Sequence, residues 1–297
     1  MGRAWAEHHQ PAREIFEQAD EALGERLSQL CWQGPEDELQ LTANTQPAIL
    51  TASVAIYRVV AEHGIEPVLM AGHSLGEYSA LVAAGVLDFA DAVRLVRRRG
   101  QLMQEAVPPG EGAMAAVLGL DAATVTAVAA EAAGDEVCAV ANLNSPIQTV
   151  IAGSAAAVER AMVIAKERGA TRVVPLAVSA PFHSPLMAPV RERLAPSLEA
   201  AAFADHRVPV VTNIDARPAT GGGAARDALL RQIDGPVRWV ESIEWMVGEG
   251  GVEAFVEIGP GRVLAGLNRR IARRVPTINI IEPGDLEKLQ KLPSPAG

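Results

Sequence analysis

Gly72-His73-Ser74-Leu75-Gly76 is the stretch from which the rest of the chain is read. The short apolar run 67–71 before it reads as a buried strand, and 77–85 after it reads as a helix. A G-x-S-x-G segment between a strand and a helix is a sharp turn that lifts the serine hydroxyl clear of the backbone. Glycines are expected on both sides, because neighbouring backbone passes too close for a Cβ. Ser74 then stands at a helix N-terminus, where the Leu75 N–H and the helix dipole stabilise an oxyanion. The same turn with an idle serine is the competing structural reading.

Outward from the turn, 46–61 carries Ile49, Leu50, Val54, Ile56 and Val59 at three- and four-residue spacing, the pattern of a largely buried helix after Pro47. On the other side 89–107 reads as a helix stopped by Pro108 and Pro109. Gly110 and Gly112 then mark a boundary. Strand 113–118, helix 122–133, strands 137–141 and 148–152, helix 155–168 and strand 172–176 follow in βαββαβ order, that of a ferredoxin-like subdomain. Signals of an α/β layer resume with strand 208–212, helices from 224 and 240, strand 254–258 and a helix from 262. The fold class is therefore α/β, with 1–110 and 180–283 as a core, 111–179 inserted as the subdomain and 284–297 as a flexible tail.

A serine hydroxyl is a weak nucleophile and needs a base. Of the six histidines, His183 sits in a loop held by Pro181 and Pro185 where the chain returns to the core, the kind of segment that carries catalytic groups. His73 points away around the turn and reads as packing beside it. Arg99 falls in the middle of the apolar stripe Leu95, Val96, Leu102, Met103, while Arg94, Arg97 and Arg98 occupy the opposite face. A guanidinium on a buried stripe needs an acceptor. It finds one in an internal Asp or Glu, or in a substrate carboxylate gripped by two parallel hydrogen bonds. In hydrolases with this turn a carboxylate between serine and histidine in chain order orients the base. None advertises itself here.

Composition narrows the field. The 297 residues hold 26 Lys+Arg against 36 Asp+Glu, a formal charge of −10, which speaks against nucleic acid as a partner. Cys31 and Cys138 lie far apart with no C-x-x-C pair, fitting a reducing cytoplasm. The first twenty residues carry charges where a signal peptide needs an apolar stretch, and the uncharged apolar run 79–87 is too short to span a bilayer, so no membrane is expected. G-x-G-x-x-A at 110–115 follows prolines rather than a strand and is rejected as a dinucleotide site. No spacing suggests a metal, and no cofactor is expected. Gly259-Pro260-Gly261 reads as a tight turn or pocket lining. Arg269, Arg270, Arg273 and Arg274 read as a solvated face or a dock for an acidic partner.

Five motifs in order resemble the malonyl-CoA:acyl carrier protein transacylases and the related acyltransferase domains of polyketide synthases. They are Gly-His-Ser-Leu-Gly-Glu-Tyr-Ser-Ala-Leu (72–81), Arg-Gly-Gln-Leu-Met-Gln-Glu-Ala-Val-Pro (99–108), Asn142-Leu143-Asn144-Ser145-Pro146, Ala180-Pro181-Phe182-His183 and Glu257-Ile258-Gly259-Pro260-Gly261. The resemblance implies a hydrolase-like α/β core with a ferredoxin-like insert. It implies Ser74 as nucleophile, His183 as base, Arg99 as clamp on the malonyl carboxylate and Leu75 N–H as oxyanion donor. Gln232 matches the position associated with orienting the histidine, Asn142 is a lesser pocket candidate, and Phe182 goes with malonyl preference. The implied substrate is malonyl-CoA and the implied partner a phosphopantetheinylated acyl carrier protein.

Members of that family typically begin with an apolar strand and a Gly-Gln-Gly-Ser-Gln loop whose glutamine completes the oxyanion hole; here Met1-Gly2-Arg3 stands where that segment would have ended. Loss of one oxyanion donor costs roughly 100- to 1,000-fold in turnover, so on this reading the chain is slow and gains from the segment's restoration. Two rivals accompany the transacylase reading: a serine-dependent acyl hydrolase that edits thioesters, and an inactive scaffold that binds the carrier protein.

Overall fold

The computed structural model describes residues 1–108, 110–178 and 180–292. Pro109 and Ser179, which belong to the expected helix stop and base loop, lie outside them. Five helices open the chain: α1 (Arg3–His8), α2 (Gln10–Leu23), α3 (Leu27–Gln33), α4 (Glu36–Gln40) and α5 (Thr42–Ala61). In α2 the buried residues Ala12, Ile15, Phe16 and Ala19 recur at helical spacing and face α5 and the helix over Phe89–Glu105. Helix α5 starts four residues before Gln46 and carries Pro47 as its sixth residue, past the first turn, where the proline leaves the Ala43 carbonyl without its helical donor.

Strand β1 (Met70–Ala71) leads into α6 (Leu75–Ala83), and α7 (Phe89–Glu105) follows. The Asp88 carboxylate caps α7 by accepting the N–H groups of Ala90 and Asp91 at 2.9 and 3.2 Å. Next come β2 (Gly112–Leu118), α8 (Ala122–Ala133), β3 (Cys138–Ser145), β4 (Gln148–Ser154), α9 (Ala155–Glu167) and β5 (Arg172–Pro175). Their antiparallel sheet runs β3-β4-β2-β5, the order of the ferredoxin-like fold. Alternation along β2 decides its two faces: Ala115 and Val117 pack under α8 and α9, while Met114 and Ala116 turn to the other side and meet Phe182.

The chain then returns through a 3₁₀ turn (Pro185–Met187) to α10 (Ala188–Ala200), β6 (Val210–Val211), α11 (Gly222–Gln232), α12 (Trp239–Gly248), β7 (Phe255–Ile258), α13 (Val263–Ile271) and β8 (Thr277–Ile280). Strand β6 lies parallel to β1, and β8 parallel to β7. The expected strands 67–71 and 208–212 shrink to two paired residues each, and Val68 of the first run is left exposed. Strand β3 also touches the core: Leu143 N–H donates to Val237 O and Val237 N–H to Ala141 O, both at 2.9 Å.

The tail is corrected. Residues Pro283–Lys291 form a 3₁₀ segment rather than a flexible end. The Asp285 carboxylate accepts the N–H groups of Ile281 and Glu282 at 2.9 and 3.0 Å, Lys288 Nζ donates to Asn279 O at 3.0 Å, and Leu289 is buried. Residues 293–297 lie outside the described part. Among the described residues no helix is long and apolar enough to cross a membrane.

Candidate active site

Ser74 caps α6 with φ +52° and ψ −109°, a region that L-residues rarely enter. Side chains tie down the strain. Asn213, just after β6, accepts the Ser74 N–H at 2.6 Å on Oδ1 and donates through Nδ2 to Gly72 O at 2.7 Å. A Cβ on Gly72 would lie 1.9 Å from Gly76 O, so this glycine is a steric requirement. Gly76 corrects the symmetrical expectation: a Cβ there would meet nothing within 4 Å. The Leu75 N–H has no acceptor among the described residues and stays available at the head of α6, as an oxyanion donor must.

His183 Nε2 lies 2.6 Å from Ser74 Oγ, and Nδ1 lies 2.8 Å from the backbone oxygen of Gln232. A carbonyl only accepts, so Nδ1 carries the hydrogen and Nε2 presents its lone pair to the serine. The imidazole is pushed down to about 3 by burial, helped by the Arg99 charge and opposed by the Gln232 carbonyl. It is neutral at any ordinary pH. His73 turns away from this pair, as its place on the turn suggested; it bonds Asn144 Oδ1 at 2.8 Å and stacks at a tilt on Trp239.

Arg99 is 2% exposed and crosses the floor of the site. Nη1 donates to Gln46 Oε1 at 2.7 Å, and Nη2 to Gln232 Oε1 at 3.0 Å and to Ser74 Oγ at 3.2 Å. All three acceptors are neutral. Among the described residues no carboxylate stands within ion-pair distance of the guanidinium, whose Nε also lacks a partner. The internal salt bridge that would make Arg99 structural is therefore not what the fold contains. Gly100 explains how Gln46 comes so near: a Cβ there would lie 2.6 Å from Thr42 O, so α7 presses its backbone on α5.

Gln232 orients the histidine through its main chain, while its side chain holds three other groups: Arg99, the Ser74 carbonyl at 3.0 Å and Glu77 at 2.8 Å. Phe182, half-buried, wedges between the core and the outer face of β2 beside the base. Asn142 is not brought against Ser74. It sits in β3 where that strand bridges to Val237, and Asn144, two residues on, makes the link to the turn. Three buried participants escape a reading by periodicity: Glu77, Asn213 and Gln46. Glu77 shows a signal in retrospect, a charge one turn into a helix whose other residues are apolar or small. Asn213 and Gln46 show none, since each acts through one hydrogen-bonding side chain in an ordinary setting. No group of three or more His, Cys, Asp or Glu that would hold a metal occurs among the described residues.

Known proteins share this sequence and fold. Residues 1–281 match the family described as acyl transferase domain. The malonyl CoA-acyl carrier protein transacylase of Escherichia coli O157:H7 is 53% identical over 271 residues, 91% of this chain and 87% of that protein. The crystal structure of an acyl carrier protein S-malonyltransferase from Vibrio cholerae superposes with a TM-score of 0.94 at 46% identity, covering 97% of this chain and 94% of that one. A malonyl-transacylase solved in complex with a type II polyketide synthase acyl-carrier protein gives 0.95 at 47% identity over 98% and 94% of the two chains. With its serine turn, buried histidine and guanidinium that touches no carboxylate, this chain belongs to the malonyl-CoA:acyl carrier protein transacylase family of acyltransferases.

Proposed function

We propose that the malonyl transfer is carried by Ser74, His183 and Arg99 in a double displacement. The enzyme moves a malonyl group from coenzyme A to the phosphopantetheine thiol of an acyl carrier protein. In the first half, His183 Nε2 takes the Ser74 hydroxyl proton as Oγ bonds to the thioester carbon. The carbonyl oxygen becomes an oxyanion facing the Leu75 N–H. Its collapse breaks the C–S bond, and the proton on His183 passes to the departing coenzyme A thiolate. In the second half the carrier thiol gives its proton to His183, attacks the malonyl-serine ester, and returns Oγ to the hydroxyl form.

One observation carries this reading: a buried guanidinium with only neutral acceptors reaches the nucleophile itself at 3.2 Å. Burying a charge that touches no carboxylate is costly, and Glu77, the acidic group that acts on it, stands behind Gln232 rather than in contact, so the site is built for an anion that arrives with the substrate. A malonyl group esterified at Ser74 brings its free carboxylate to Arg99. That carboxylate also offsets the positive charge that depresses His183, leaving the base stronger once the correct acyl group is bound. Phe182 beside the base leaves little room for a branch at the α-carbon.

Two further parts belong to the proposal. Residues 111–179 act as an insert whose outer sheet face forms one wall of the site, flanked by two halves of a core. The setting is the cytoplasm, which suits the two buried, unpaired cysteines. Intact-protein mass after incubation with malonyl-CoA tests the chemistry. A single malonyl adduct on the wild type that is absent from Ser74→Ala is expected; an adduct that survives in Ser74→Ala overturns the assignment.

A further inference from the structure

Glu77 is fully buried, yet neither half-reaction uses it. It stands one turn after Ser74 on α6, between nucleophile and base in chain order. Its Oε2 accepts two hydrogen bonds, from Asn213 N–H at 2.9 Å and from Gln232 Nε2 at 2.8 Å. Its Oε1 has no partner among the described residues. Both bonded neighbours are themselves attached to the reacting groups. Asn213 holds the Ser74 N–H, and Gln232 holds Arg99 with Oε1, the Ser74 carbonyl with Nε2 and His183 with its backbone oxygen.

An amide has two ends of nearly equal size, and nothing in Gln232 itself decides which end faces Arg99. Its neighbours decide it: Glu77 Oε2 and the Ser74 carbonyl only accept and draw the NH₂ end, while Arg99 only donates and draws the oxygen end, and of these Glu77 alone has no other part in the reaction. Turned the other way, Gln232 would point N–H groups at Arg99 and leave both donors unsatisfied in a buried site. We propose that Glu77 is the orienting carboxylate of this site, a positioning residue that works through Gln232 and Asn213 rather than on the histidine directly, and that it fixes Arg99 for the malonyl carboxylate. The inference rests on the assignment of Ser74, His183 and Arg99 made above.

Because Oε2 takes both bonds, the role needs an acceptor and not a charge. The same oxygen accepts them when the carboxyl is protonated on Oε1, and so does the oxygen of a glutamine. Arg99 on α7, Asp215 after β6, Arg231 on α11 and the neighbouring Tyr78 are the titratable groups around it, and none bonds to Glu77.

The test compares Glu77→Ala and Glu77→Gln in the full chain, with kcat and KM measured for malonyl-CoA and acetyl-CoA between pH 6 and 9. Glu77→Ala is expected to lower the malonyl-over-acetyl preference in kcat/KM by about 100-fold, the scale of a displacement of the order of 1 Å at a reacting centre. Glu77→Gln is expected to keep the preference within about threefold of wild type and to leave the pH profile of kcat/KM unmoved. A merely structural carboxylate would reduce the yield of folded enzyme without changing that ratio. If Glu77→Ala does not fold, Gln232→Leu supplies the second arm, with the same loss of preference expected. A wild-type preference in Glu77→Ala or Gln232→Leu overturns the proposal, as does a Glu77→Gln enzyme that loses preference like alanine or shifts the pH profile. Ser74→Ala run alongside keeps the two readings apart: a Ser74→Ala protein that still takes up malonyl refutes the parent assignment, whereas failure of the Glu77 arms alone refutes only this one.

Discussion

At Ser74 a strained backbone, a neutral imidazole and an unpaired guanidinium converge on one oxygen, and each gives a separable expectation. Ser74→Ala removes the acyl adduct while leaving the melting temperature within a few degrees of wild type, since a half-exposed hydroxyl contributes little packing. His183→Ala slows acylation by about 100-fold or more, the usual range for a lost general base, which stopped-flow release of coenzyme A reads directly. Arg99→Ala lowers malonyl-over-acetyl preference by about 100-fold, given two charge-assisted hydrogen bonds at roughly 1.5 kcal/mol each. If Arg99→Ala instead unfolds the protein, the residue is structural. Burial pushes the Glu77 carboxyl up to about 7 from an ordinary 4.5, against hydrogen bonds that pull it down. Between those values the folded chain keeps a proton that the unfolded chain has released, so this group's stabilising contribution is present below about pH 4.5 and lost as pH rises through about 7. Calorimetry of wild type and Glu77→Gln should show the melting temperature of wild type falling relative to the variant from pH 5 to pH 8.5; parallel curves would refute the shift. Ser74, His183 and Arg99 were legible because each violates a local rule: a serine in a strand-to-helix turn, a histidine between prolines, a cation on an apolar stripe. Glu77, Asn213 and Gln46 break no such rule strongly enough, because the backbone, amide and guanidinium groups they satisfy are brought from residues far away in the chain.

Between elements, the contact of α5 with α7 sets where Arg99 lies. Gly100→Ala places a methyl group against the Thr42 carbonyl and the Ala43 backbone. It should cost about 1–3 kcal/mol, the usual price of overpacking, and raise the KM for malonyl-CoA as Gln46 and Arg99 part. Urea unfolding measures the first and steady-state kinetics the second; an unaffected KM would show that Arg99 does not depend on the spacing of the two helices. The long amphipathic helices and the six elements of the insert were readable because their apolar faces repeat over enough residues to show a period. The first forty residues were not read as helices, although α2 repeats its apolar face clearly; α1, α3 and α4 are too short for a period to emerge. Helix α10 hides behind Pro189 and Pro196, which in isolation read as breakers. The apolar runs around β1 and β6 overstate both strands, because only two residues of each find a ladder partner and Val68 stays exposed.

Across the whole molecule the chain ends are fastened together. Trp5 Nε1 donates to Ile281 O at 2.6 Å, and the 3₁₀ segment buries Leu289. A chain ended after Glu282 should melt several degrees lower in calorimetry, because a buried leucine and the Lys288 contact with Asn279 go with the segment; an unchanged melting temperature would make the segment ornamental. No period marks residues 283–291 in the sequence, where Lys, Gly and Pro suggest looseness while Leu289, with Leu286 beside it, does the anchoring. The bridge between β3 and Val237 has a different kind of consequence, for anyone who builds chimaeras from relatives of this enzyme. Cutting at the two chain crossings of the insert looks natural, yet half of the joint lies outside those cuts, five residues beyond Gln232. A transplanted insert arrives with Leu143 and Ala141 but must find a host backbone at Val237 already in register. Exchanging 111–179 together with the segment around Val237 moves the whole bridge, whereas exchanging 111–179 alone moves half of it, close to Gln232.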